Sequence, residues 1–143
     1  MKSSVKTFQV ELTRTIQTSP IEAFDSWLDP RCPGTPWNVA EKLILDPKLD
    51  GLYYWGFINE AGVRKPHYGR FTLFDRPKTV QYTWVSPHTL GLESLVTVTF
   101  VRSEEDTILT LRHENLPDDE HGRGHENGWG RLLGQFTDRY RRG

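Results

Sequence analysis

Residues His113–Tyr140 read HENLPDDEHGRGHENGWGRLLGQFTDRY, and this stretch decides how the rest of the chain must fold. It predicts one long helix. Pro117 and Asp118 announce the start, and Asp119 and Glu120 put negative charge in the first turn. Arg139, Arg141 and Arg142 put positive charge at the far end, the polarity a helix dipole favours. Leu132, Leu133, Phe136 and Tyr140 follow Trp129 at offsets of three, four, seven and eleven, a single apolar stripe at the helical period. A helix of roughly twenty residues spans about 30 Å, so the stripe calls for a sheet wide enough to receive it.

The totals narrow the function classes. Eighteen basic and nineteen acidic residues, mixed along the chain, leave a net charge of −1. No concentrated basic surface is available for phosphates, so nucleic acid is not expected as a partner. The basic end RYRRG reads as a helix C-terminus with a solvated tail. The chain of 143 residues is expected to form one domain, 1–143, with its own core. The single cysteine, Cys32, has no internal disulfide partner, and MKSSVKTFQVELTRT carries no apolar run like a signal peptide, so a cytoplasmic location is expected. No apolar segment approaches the ~18 residues of a membrane span. Five Trp, five Tyr and seven Phe exceed what one small core needs, so some are expected to line a cavity or a homodimer contact.

Working outward, Phe8, Val10, Leu12 and Ile16 alternate with polar residues as a first strand, with Arg14 on the buried parity. TSPIEAFDSWLDP predicts a helix with Ser19 as cap, Pro20 in the first turn and Glu22 completing a capping box. Ile21, Phe24 and Leu28 are its expected buried face, with Trp27 at the margin. RCPGTPW is a loop or one short turn. From Pro36 to Glu114 the pattern is strands and turns: Trp37, Val39, Leu43 and Leu45 on one parity, then LYYWGFI, HYGRFTLF, VQYTWV, the alternation around Val96, Val98 and Phe100, and a last strand placing Leu109, Leu111 and His113 inward. LYYWGFI is bulky on both parities, which suits one face on the core and the other under a loop or a second subunit. The order β-α-β-β-β-β-β-β-α, with strands run together and helices apart, is that of an antiparallel α+β fold.

This order, together with His113, Leu116-Pro117, His121, Gly128 and Trp129, resembles the family named after the C-terminal domain of the heat-shock-protein-90 ATPase activator, within the START-like, or SRPBCC, superfamily. The resemblance runs from VELTRTI to HENGWGRLLGQF. It implies a helix-grip fold, a curved sheet of six to seven strands wrapped around the long C-terminal helix with a largely apolar cavity between them. It also implies an apolar ligand: a lipid, a polyketide or an aromatic metabolite. The family carries no invariant catalytic set, so no catalytic residue transfers. At Asp50-Gly51-Leu52 only half of the customary Gly-Gly pair is present. In the true activator much of the chaperone contact belongs to a separate N-terminal domain, so the co-chaperone role transfers weakly.

The chemistry on offer is in the histidines. His121 and His125 share a helix face and His113 ends the strand before them, which raises zinc, but the spacing lacks a His-Glu-x-x-His or a cysteine pair, and no metal or cofactor is expected. His113 is weighed as a general base against a structural histidine fixing the strand-helix corner, and the structural role is favoured. Glu41 is a candidate partner for Arg14. Cys32 has no base beside it. Gly122 and Gly124 read as tolerated at exposed positions, while the later helix glycines suggest close approach to the sheet or a bend over a cavity. The expected ligand lining is Arg14, Trp37, Tyr82, Trp84, His113, Trp129 and Leu133, with Arg14 and His113 orienting a polar end. The alternatives are a cyclase- or hydrolase-like enzyme using His113 in the same cavity, or an interaction module engaging a chaperone or a second copy.

Overall fold

The computed structural model describes residues 6–142; the first residues of the MKSSVKTFQVELTRT segment read above, and the side chain of Val39, lie outside that description. Seven antiparallel strands form one curved sheet: β1 Thr7–Ile16, β2 Lys42–Leu45, β3 Leu52–Ile58, β4 Arg64–Asp75, β5 Thr79–Trp84, β6 Ser94–Ser103 and β7 Asp106–Pro117, in spatial order β1-β7-β6-β5-β4-β3-β2. Helix α1 spans Pro20–Trp27 and the long helix α2 spans Glu120–Arg139. This is the helix-grip α+β architecture, and no described helix is long and apolar enough to cross a membrane.

Alternation sorts the two faces of the sheet. Val80 and Tyr82 on β5, Val96 and Val98 on β6, and Leu109 and Leu111 on β7 point inward and are fully buried. The outer face carries polar cross-strand pairs, including a ladder in which Thr72 donates to Gln81 at 2.8 Å and Gln81 to Thr97 at 3.0 Å. The stripe of α2 lies as its spacing requires. Trp129, Leu133 and Phe136 are buried, and the helix packs mainly on β1 and β7. That placement leaves its N-terminal half facing β3–β5 with room between them.

Several local expectations change. Trp37 belongs to a short 3₁₀ turn, Pro36–Val39, rather than to a strand, because Pro36 seats the first turn and the Trp37 indole N–H reaches the Trp27 carbonyl at 2.8 Å. Trp27 is central rather than marginal. It is fully buried and stacks on Trp129 with ring centroids 6.2 Å apart, because α1 is covered on a second side by α2, whereas Ile21 is exposed. Ser19 caps α1 by accepting from the Glu22 backbone N–H, but the Glu22 carboxylate does not return to close the box. It accepts from Ser26 at 3.0 Å and from Tyr140 at 2.8 Å, tying the end of α2 to α1. Glu41 pairs with Arg64 at 3.3 Å, not with Arg14.

The half-present Gly-Gly pair also has its explanation. Asp50 takes the left-handed conformation at φ 64°, a role Asp fills more readily than most residues. Gly51 supplies the close approach, since a Cβ there would sit 2.0 Å from the Asp46 carbonyl oxygen. On β3, Leu52 and Ile58 stay exposed.

Candidate functional site

The site is built where β7 turns into α2. Asp119 caps the helix by accepting from the Gly122 N–H at 3.0 Å. Gly122 is buried, not an exposed tolerated position: a Cβ there would lie 1.9 Å from the Pro117 carbonyl oxygen. The tight corner brings the first turns of α2 over the end of β7, so that Trp129 reaches His113.

His113 is fully buried and both ring nitrogens are engaged. The Trp129 indole N–H, which can only donate, meets Nδ1 at 3.0 Å. Nδ1 is therefore the unprotonated nitrogen and Nε2 carries the proton. Nε2–H in turn donates to Ser94 Oγ at 2.8 Å, and the Ser94 hydroxyl donates to the Trp84 carbonyl at 2.6 Å. One chain of hydrogen bonds thus joins α2, β7, β6 and β5. Burial, and then His125 nearby, drive the His113 pKa well below the ordinary histidine value. With its lone pair and its proton both committed to protein groups, the ring ties the strand–helix corner together.

Beside this joint opens a cavity of about 840 Å³ between β3–β5 and the N-terminal half of α2, within the range of small-molecule sites. Its sheet wall is aromatic. Trp55 and His67 are cross-strand partners on β3 and β4 and stack nearly parallel, 3.8 Å between centroids at 5°. Trp84 packs edge-on to His67 at 5.2 Å and against Trp129 at 5.2 Å. From the helix, His125 and Gly128 face the same space, and Glu120, His121 and Arg131 stand at its rim.

The polar atoms of this wall are incompletely paired. Trp55 Nε1, Trp84 Nε1 and His67 Nδ1 are buried without a hydrogen-bond partner. Each such group costs on the order of 1–3 kcal/mol, and all three atoms are enclosed by protein rather than open to the cavity. Desolvation, with a smaller push from His88, lowers the His67 pKa to about 3, which keeps the ring neutral. His125 is lowered as well, chiefly by burial. Its Nδ1–H donates to the Gly122 carbonyl at 2.9 Å, which leaves Nε2 as the acceptor nitrogen. His88 is lowered by burial and by Lys65.

The expected lining divides three ways. Trp84 and Trp129 line the cavity, and His113 lies directly behind Trp129. Trp37, Tyr82 and Leu133 are in the packed core, where the Trp27 indole N–H donates to the Tyr82 hydroxyl at 3.4 Å. Arg14 is away from the cavity, its guanidinium turned to the Thr13 carbonyl at 2.8 Å. The three-histidine zinc arrangement does not assemble, because His113 is committed and His121 points to Asp119 at 3.6 Å on the surface; among the described residues no His, Cys, Asp and Glu group has metal-holding geometry. Trp55, His67 and His88 were not anticipated, and His125, weighed only as a zinc ligand, faces the cavity. LYYWGFI is bulky on both parities, so its pattern did not single out Trp55, and the pairing with His67 depends on a register that the intervening turn sets.

Comparison with known proteins agrees with the architecture. The model of the family described as Activator of Hsp90 ATPase homolog 1-like protein matches residues 17–140. No curated protein matches the sequence significantly. Among solved structures, protein CV1439 from Chromobacterium violaceum is 21% identical, with 94% of this chain and 98% of that one covered at a TM-score of 0.76. Mll3558 from Rhizobium loti is also 21% identical, covering 95% and 99% at 0.76. SA2116 from Staphylococcus aureus, described as a protein of unknown function, is 14% identical, covering 95% and 92% at 0.73. At these identities the likeness concerns the fold.

Proposed function

The chain belongs to the family of Activator of Hsp90 ATPase homolog 1-like proteins, and from that premise we propose that it binds a small, largely apolar, aromatic molecule between its sheet and its C-terminal helix. The observation that carries the proposal is the 840 Å³ cavity faced by the Trp55–His67 stack, Trp84 and Trp129. Flat π surfaces favour a flat apolar occupant, since aromatic contacts add to the gain from area alone. The size suits one molecule rather than a macromolecular segment.

The enzymatic alternative placed its proton transfer on His113, and the engagement of both His113 nitrogens argues against that role. Binding is the reading the remaining groups support best. The test is native mass spectrometry of freshly purified protein, followed by denaturing extraction and by calorimetric titration with naphthalene derivatives. A stoichiometric adduct or saturable naphthalene binding is expected. An apo mass together with no binding of any naphthalene overturns the proposal.

A further inference from the structure

His125 brings an open hydrogen-bonding position to the helix side of the cavity. It lines the cavity together with Gly128, its neighbour one turn further along the same face of α2. Its Nδ1–H is spent on the Gly122 carbonyl at 2.9 Å, within its own helix. The two imidazole nitrogens look in nearly opposite directions, so holding Nδ1 against the helix backbone directs Nε2 away from it. Nε2 has no hydrogen-bond partner among the described residues, and unlike the nitrogens of Trp55, Trp84 and His67 it is not enclosed by protein. Space adjoins it, since a Cβ added at Gly128 would meet nothing within 4 Å.

The tautomer decides what this nitrogen can receive. With the proton on Nδ1, Nε2 of the neutral ring carries a lone pair and only accepts. A carbonyl or carboxylate oxygen would meet it lone pair to lone pair, whereas a hydroxyl would donate. The neighbouring rings do not take that role. His113, 5.0 Å away between centroids, has its Nε2–H committed to Ser94, and His88, 6.4 Å away, makes no hydrogen bond to His125. The surroundings also favour an aromatic hydroxyl over an aliphatic one. Trp129 follows His125 by one turn on α2, and Trp84 packs against it at 5.2 Å, so a ring attached to the hydroxyl has aromatic wall beside it. A phenol ordinarily holds its proton up to about pH 10. Beside an imidazole whose burial disfavours the cation, the proton stays on oxygen and no ion pair has to be buried.

Resting on the binding function proposed above, we propose that the ligand is a phenol, an aromatic compound whose hydroxyl donates to His125 Nε2 while its ring lies along Trp84 and Trp129. The charged groups at the cavity, Glu120 and Arg131, stand at the rim, so the inner contact is a neutral one. The hydroxyl fixes which end of the molecule faces the helix.

The experiment is calorimetric titration of the parent protein and of His125→Phe with 2-naphthol and with 2-methylnaphthalene, in which a methyl group of similar size replaces the hydroxyl. The preference for 2-naphthol over 2-methylnaphthalene should be about fivefold greater in the parent than in the variant, the scale of one net hydrogen bond. In the parent alone, which removes any dependence on how the variant folds, the ¹⁵N resonance of His125 Nε2 should move toward that of a protonated nitrogen on adding 2-naphthol and not on adding 2-methylnaphthalene. 2-Naphthoate, which only accepts, should bind more weakly than 2-naphthol. A preference unchanged by the substitution, an Nε2 resonance unmoved by saturating 2-naphthol, or tighter binding of 2-naphthoate overturns the hydroxyl assignment and leaves the cavity-binding function standing. Failure of every naphthalene to bind overturns both.

Discussion

The Trp129 indole N–H donates to His113 Nδ1 at 3.0 Å, and this one contact determines which imidazole nitrogen holds the proton and what the histidine can do. Removing the ring deletes a fully buried side chain and leaves the Trp129 N–H without an acceptor. His113→Ala should therefore lose about 3 kcal/mol of stability, from lost packing and one orphaned donor together. The ring was expected to orient a ligand's polar end beside Arg14; the hydrogen-bond chain through Ser94 to the Trp84 carbonyl commits its nitrogens to the protein instead. Urea unfolding of the variant decides it, and an unchanged midpoint sinks the structural assignment.

Buried neutral histidines also set an acid limit. In the folded protein His67 takes up a proton only near pH 3, whereas in the unfolded chain it does so near the ordinary value of 6.5. Between those values the unfolded state binds more protons. Stability is therefore complete above about pH 6.5 and declines as the pH falls, by up to about 1.4 kcal/mol per pH unit for one such group. His113, also depressed by burial, contributes with the same sign. His67→Phe keeps a ring against Trp55 and removes the titration, so its unfolding free energy should fall less between pH 7 and pH 5 than that of the parent. Parallel slopes in urea titrations at pH 7, 6 and 5 would exclude His67 as a contributor.

What the sequence made legible was local. The α2 stripe, the Ser19 cap and the inward parities of β6 and β7 rest on residues within a few positions of one another, and each is found where spacing put it. What escaped depends on contacts between distant segments. Trp27 sits at the edge of its own helix's apolar face, but it is enclosed because α2 crosses above it and brings Trp129 and Phe136 onto its ring. Trp37 has the parity of a strand residue, yet the carbonyl that holds its indole lies ten residues back. The cavity wall was hidden for the same reason. Trp55 and His67 become a stacked pair only through the β3–β4 register, and nothing periodic announces His88 in its loop. Arg14 shows the reverse error, since inward parity near a strand end left its long side chain free to turn back to the backbone.

The helix glycines make opposite predictions. Gly122→Ala forces a Cβ to 1.9 Å from the Pro117 carbonyl, a backbone atom at a capped corner that has little room to yield. A loss of about 2 kcal/mol or more is expected, the scale of overpacking. Gly130 has nothing within 4 Å of an added Cβ, so Gly130→Ala should gain up to about 1 kcal/mol from helix propensity alone. Thermal melting of the two variants should move in opposite directions. A stabilised Gly122→Ala would mean that the corner relaxes and that its geometry does not require glycine.

Gly128 separates the cavity from the core more cleanly than any aromatic residue. It lines the cavity, and an added Cβ there meets nothing within 4 Å, so a larger side chain would project into unfilled space rather than into packed atoms. Trp84 and Trp129 serve as wall and as core together, and truncating either confounds binding with folding. Gly128→Leu adds four carbons and replaces a poor helix former with a good one. Its melting temperature should stay level or rise, while its affinity for 2-isopropenylnaphthalene, which needs only the apolar volume, should drop at least tenfold as the side chain takes that volume. If affinity survives in a variant that melts no lower than the parent, the naphthalene sits elsewhere, and the space between the sheet and α2 is not the binding site.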